Sequence, residues 1–151
     1  MNTHFLKEIE NKLNITLPES YKKLISEFES FCVLEYEGKE IDIRNINRLS
    51  SSIDTKSGLQ KWQYLHQWTQ DNTHKQTKPE LVKRNDSSET LPRERVANGF
   101  LFADSSDGIR LYFDIQDNMS VWEYWLDEGS VGKIADCFDE LLSKSEIVEQ
   151  E

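Results

Sequence analysis

Gly99-Phe100-Leu101-Phe102-Ala103-Asp104-Ser105-Ser106-Asp107-Gly108-Ile109-Arg110-Leu111-Tyr112-Phe113-Asp114-Ile115-Gln116-Asp117-Asn118-Met119-Ser120-Val121-Trp122-Glu123-Tyr124-Trp125-Leu126 is the stretch whose reading decides the fold. Gly99 to Ala103 is an apolar, aromatic run of strand length. Asp104 to Gly108 is a turn, with Gly108 supplying the positive φ that turns demand. Ile109, Leu111, Phe113 and Ile115 then alternate with Arg110, Tyr112 and Asp114, the period of a half-buried strand. Gln116-Asp117-Asn118 turns the chain again, and Val121 to Leu126 reads as a third strand. Three strands joined by two tight turns make an antiparallel meander.

Outward from this meander the signals become helical. Downstream, Ser130 stands as an N-cap before Val131, Ile134, Ala135, Phe138, Leu141 and Leu142, an apolar stripe with Asp136, Asp139 and Glu140 off it,. Near the N-terminus, Phe5, Ile9 and Leu13 recur every four residues beside Leu6, and Asn14 can end that helix in a left-handed conformation,. A second helix is expected from Leu17-Pro18-Glu19, with proline in the first turn, Glu19 at the positive end of the dipole, and Tyr21, Leu24, Ile25 and Phe28 on one face. Phe31 to Tyr36 and Glu40 to Ile43, separated by Glu37-Gly38-Lys39, read as a hairpin. Leu59, Trp62 and Leu65 favour a short helix, with Trp68 a turn on. Thr69 to Glu94 is almost wholly polar and carries Pro79 and Pro92, which reads as a mobile, surface-running insertion over 69–94,. The expectation is one α+β domain over residues 1–151, an antiparallel sheet flanked by N-terminal and C-terminal helices.

The chain has 151 residues, 36% of them hydrophobic, enough for one buried core,. Its net charge of -10 is unevenly placed. Residues 101–151 hold thirteen Asp/Glu against three Lys/Arg, whereas residues 1–100 hold fifteen of each. Such a field repels nucleic acid and favours basic protein partners. No apolar run approaches a membrane span, and the first residues lack the pattern of a signal peptide. Cys32 and Cys137, far apart, read as two buried free thiols. The expected setting is cytoplasmic, with no membrane association.

Motifs of catalysis are not legible. Phosphate-binding glycine loops are missing from the sequence, and His4, His66 and His74 do not pair with other ligands at zinc spacing,. Neither cysteine has a nearby histidine or glycine-rich nucleophile turn. Asp104-x-x-Asp107-Gly108 lacks the twelve-residue pattern and closing glutamate of a calcium loop and reads as a β-turn; Asp104, Asp107 and Asp114 show no pocket that would make them a glycosidase pair. Neither cofactor, metal nor catalytic residue is therefore expected. On the third strand, Trp122, Tyr124 and Leu126 point one way and Val121, Glu123 and Trp125 the other, and the Glu123 side is the one expected to be exposed. The expected partner-binding residues are Asp104, Asp107, Trp122, Glu123, Tyr124, Trp125, Asp127 and Glu128, acidic side chains for steering and aromatic ones for contact.

Two stretches carry a resemblance. One is Ile9-Glu10-x-x-Leu13-x-Ile15-x-Leu17-Pro18-Glu19-x-Tyr21-Lys22-x-Leu24. The other is Phe100-Leu101-Phe102-Ala103-Asp104 through Asp107-Gly108 to Tyr112-Phe113-Asp114, then Val121-Trp122-x-Tyr124, closed by Ile134-Ala135-x-x-Phe138-x-x-Leu141-Leu142. In this order they resemble the SUKH superfamily, whose eukaryotic members include a yeast cell-wall synthesis regulator and whose bacterial members are largely immunity proteins. Glu29-Ser30 stands where many members have a glycine-rich turn, and residues 50–98 match nothing recognisable. The resemblance implies an immunity protein that neutralises a polymorphic or contact-dependent toxin, a basic one such as a nuclease. The alternative it implies is a regulatory or scaffolding module in cell-envelope synthesis. No residue transfers from the family as catalytic.

Overall fold

The computed structural model describes residues 4–51 and 58–151, with only the backbone of Asp107. Helix α1, His4–Leu13, buries Leu6 and Ile9 and ends at Asn14, whose φ of 54° is the left-handed stop expected there,. Helix α2, Glu19–Ser26, follows Pro18 and buries Tyr21, Leu24 and Ile25. The Glu10 carboxylate accepts from the Leu17 backbone N–H at 2.8 Å and from the Lys22 amine at 3.0 Å, which ties the two helices together. Strands β1, Cys32–Tyr36, and β2, Lys39–Ile43, form the expected hairpin, with Tyr36 opposite Lys39. Its two-residue turn has positive φ at both Glu37 (50°) and Gly38 (78°), the geometry whose twist matches that of the strands,.

Next come α3, Ile46–Ser50, α4, Leu65–Asp71, β3, Leu81–Arg84, β4, Thr90–Pro92, and α5, Arg93–Ala97. The meander follows as β5, Phe100–Ser105, β6, Ile109–Asp114, and β7, Ser120–Trp125. Strand β8, Ser130–Ala135, helix α6, Phe138–Ser143, and strand β9, Ser145–Gln150, complete the chain. The strands form one nine-stranded sheet in the order β4-β3-β8-β7-β6-β5-β2-β1-β9. Its neighbours pair antiparallel except β3 and β8, which run parallel.

The sheet separates two cores. On one face α1, α2 and α6 cover Phe100, Phe102, Leu111, Phe113, Val121 and Leu34. Tyr21 is its hub, edge-on to Phe100, Phe102, Phe113 and Phe138 at centroid distances of 5.1 to 6.1 Å,. On the other face Leu65, Val82, Leu91 and Val96 cover Leu101, Tyr112, Trp122, Tyr124 and Val131. The α+β class is as expected, and no helix of the described residues is long and apolar enough to cross a membrane.

Three expectations are corrected. Ser130–Ala135 is a strand, not the start of the last helix. Gly132 is a poor residue for a helix interior, Val131 and Ile134 are β-branched, and β7 offers an edge to pair with. A Cβ on Gly132 would stand 2.5 Å from Asn85 Oδ1, so glycine also admits the β3 end, where the Asn85 N–H donates to the Val131 carbonyl at 2.9 Å. The helix begins only at Phe138, but Phe138 and Leu141 are buried as expected. Residues 69–94, read as a mobile surface-running insertion, contain the end of α4 and both β3 and β4, so part of that stretch is regular structure paired into the sheet. Each of those short strands buries one side chain, Val82 or Leu91, too few to make a period. Cys32 is buried, but Cys137 is exposed, because the helix whose stripe it would have joined starts after it.

Candidate partner-binding face

Strand β7 presents its side chains as the alternation requires, but the sides are covered unequally. Trp122 and Tyr124 are 2% and 0% exposed. The Trp122 indole N–H donates to Ser120 Oγ at 2.8 Å, and its ring lies under the guanidinium groups of Arg84 (4.8 Å) and Arg95 (5.9 Å),. The Tyr124 hydroxyl accepts from Asn72 Nδ2 at 2.9 Å and donates to the Trp68 carbonyl at 3.3 Å. This corrects the reading of these two rings as contact residues: residues 60–97 form a second roof over them. Glu123 and Trp125, on the opposite side, are half-buried and reach the surface. That side is the more open one, as the alternation suggested.

Asp104 is also withdrawn from the surface. Arg44 grips it with Nη2 on Oδ1 at 2.6 Å and Nε on Oδ2 at 3.0 Å. Arg48 Nη2 reaches Oδ2 at 2.6 Å, and Arg110 Nε stands 2.9 Å from Oδ1. Arg48 also binds Asp42 at 3.0 Å, so two carboxylates face three guanidinium groups. Burial pushes the Asp104 carboxyl up, but the hydrogen bond from Arg44 and the charges of Arg44, Arg110 and Arg48 outweigh it and hold it below the ordinary carboxylate value,. Its role is to join the residue that follows β2 to α3, β5 and β6, which corrects its assignment as a free acidic contact. The side chain of Asp107 lies outside the described residues. Asp127 and Glu128 stand exposed in the turn between β7 and β8. The Asp127 carbonyl accepts from the Lys75 amine at 2.7 Å, and the Glu128 carboxylate accepts from Ser130 Oγ at 3.0 Å.

Glu123 opens into a groove of about 410 Å³ on the helical face, bounded by Tyr36, Lys39, Ile41, Leu111, Lys133 and Lys144 among others. The sheet curves enough for the Tyr36 hydroxyl on β1 to donate to the Ile134 carbonyl on β8 at 3.3 Å. Lys133 is held by Asp117 and Asp136 at 3.0 and 3.1 Å, while the Lys39 amine stands 5.9 Å from the centroid of the Trp125 ring. The indole nitrogen of Trp125 is buried without a hydrogen-bond partner among the described residues. Such a groove can receive a charged side chain beside an aromatic wall. Of the expected contact residues Glu123 lines this groove, whereas Tyr36 and Lys39 were missed, because nothing local signals that a hairpin far upstream curves round to face it. Among the described residues no group of three or more His, Cys, Asp or Glu side chains is placed to hold a metal ion.

Comparison with known proteins gives one match. The sequence model described as "SMI1 / KNR4 family (SUKH-1)" matches residues 3–144, a range that includes the residues 50–98 that sequence reading left unplaced. No curated protein and no solved structure matches the chain.

Proposed function

Since the chain belongs to the SMI1 / KNR4 family (SUKH-1), we propose that it is an immunity protein, which binds a cognate bacterial toxin domain in the cytoplasm and holds it inactive. The observation that carries this reading is the family match, which spans nearly the whole chain. The protein acts by binding, not by catalysis. Its partner is basic, as a nuclease is, because the net charge of -10 comes entirely from residues 101–151. Part of that acidity is spent internally, as at Asp104 and at Asp114, whose Oδ2 lies 2.7 Å from Arg95 Nη2. Glu123, Asp127 and Glu128 remain at or near the surface to steer association, and Trp125 supplies contact area beside them,.

The test is protection of cells. The toxin encoded beside this protein in its native host is expressed with and without the chain, and the purified pair is titrated by calorimetry. Restored growth together with a stoichiometric complex is expected. Equal killing in both strains, with no heat of binding, would sink the reading.

A further inference from the structure

We propose that the open edge of strand β9 is a docking site for an extended, lysine- or arginine-bearing strand of a partner protein, which joins the sheet as its next strand. This rests on the reading that the chain binds a cationic protein, and it states how the contact is made.

The first observation is the edge itself. Strand β9 pairs with β1 on one side, and no described strand pairs with the other. A free edge presents a row of backbone donors and acceptors ready for another chain. The opposite edge, β4, is three residues long and ends in Pro92, a blunted edge; β9 is six residues long and contains no proline. Ile147 and Val148 on β9 are 51% and 44% exposed, two of the three exposed large hydrophobic residues among those described. Strand β9 also lies beyond the family match, which ends at residue 144.

The second observation identifies the occupant. Glu40 on β2 stands directly opposite Glu35 on β1, and Glu35 directly opposite Glu146 on β9. Opposite residues project from the same face, so the three carboxylates form a row across the strands that ends at the open edge. Glu149, opposite Val33, lies on the same face,. Like charges placed directly opposite repel, and among the described residues none of these four glutamates has an ion-pair partner,. A cationic side chain on an added strand would stand beside Glu146 and complete the row. A second copy of this chain is disfavoured as occupant, because antiparallel pairing of β9 with itself would set Glu146, Glu149 and Glu151 of both copies along one seam. A strand bearing positive charge gains at every one of those positions.

The probe is a synthetic hexapeptide of alternating lysine and valine, added to the isotope-labelled full chain. Controls are its glutamate–valine counterpart and a version with proline at its centre. Amide shifts and hydrogen exchange are read residue by residue. The lysine peptide is expected to perturb β9 and slow exchange of its outward amides, and the two controls to leave them unchanged. Glu35→Gln and Glu146→Gln should each weaken peptide binding about threefold, the size of one cross-strand charge pair. Perturbation centred elsewhere, equal binding of either control, or sedimentation showing a dimer that Ile147→Lys dissolves would each overturn the proposal. Toxin protection by the same variants separates the two readings. If the peptide docks on β9 but no toxin is neutralised, the immunity reading falls and the edge stands. If a toxin is neutralised while the peptide leaves β9 untouched, the edge falls alone.

Discussion

Cys32 and Cys137 show how burial decides chemistry at a single residue. Burial first, and then the nearby charges of Asp42 and Glu27, push the Cys32 thiol up to about 11, while Cys137 is exposed ahead of α6. At neutral pH an aromatic disulfide reagent is therefore expected to label one thiol in the native protein and two after unfolding. Mass mapping should place the native label on Cys137, and rapid labelling of Cys32 would contradict the fold around β1. Tyr21 makes a different point. Its ring organises the helical-face core, yet its hydroxyl is fully buried with no hydrogen-bond partner among the described residues. Removing a buried, unsatisfied hydroxyl while keeping the ring recovers its desolvation cost, so Tyr21→Phe is expected to raise stability by about 1 kcal/mol. A lower urea midpoint for that variant would contradict this account.

Among the elements, α6 is short but central. Its six residues include Phe138, which is fully buried and edge-on to Phe102 and Phe113 at 5.7 and 5.8 Å. Phe138→Ala should cost about 3–5 kcal/mol, as truncation of buried aromatics does, read as a shifted denaturation midpoint. Strand β1 carries the opposite kind of lesson, a local arrangement that stability alone would not choose. Reversing the middle charge in the Glu40–Glu35–Glu146 row turns two repulsions into attractions. Glu35→Lys is therefore expected to stabilise the isolated protein by about 0.5–1 kcal/mol, with loss of any cationic partner on that face. A destabilised Glu35→Lys variant would show that the row is not strained. The helices α1 and α2, the β1–β2 hairpin and the meander were all legible, because each repeats its apolar residues at its own period. Strands β3 and β4 were not, since a strand that buries one side chain leaves no period to read.

For the whole molecule, charge controls both pH response and encounter. Asp86 is held at about 2, chiefly by its hydrogen bond from Arg84, and Asp104 and Asp117 also titrate below the ordinary carboxylate value. With folded values depressed, the unfolded chain takes up these protons first as pH falls. The stability they contribute is present above the ordinary Asp value of about 4 and is lost progressively as pH falls below it, the Asp86 share being nearly gone by about pH 2,. Urea midpoints should thus be insensitive to these groups between neutrality and about pH 5 and fall steeply in acid; Asp86→Asn should flatten part of that fall. Encounter with the toxin is the second global property. Replacing Glu123, Asp127 and Glu128 by their amides should slow association at low salt and reduce its salt dependence, with a smaller effect on dissociation. Stopped-flow rates that match the wild type at both salt concentrations would show that these carboxylates only solubilise the sheet.

By itself the sequence determined the class of fold, the meander, the N-terminal helices and the direction in which each β7 side chain points, because backbone periodicity is a local property. It also determined the acidic excess of the last third, which is composition alone. Only the tertiary structure decided which charges and aromatic rings remain available. Asp104 met three arginines drawn from the residue after β2, from α3 and from β6, and Trp122 and Tyr124 were roofed by a segment whose polar sequence concealed its few buried anchors. Availability depends on partners distant in sequence, on strand order and on register, and none of these is written in the residues around the site.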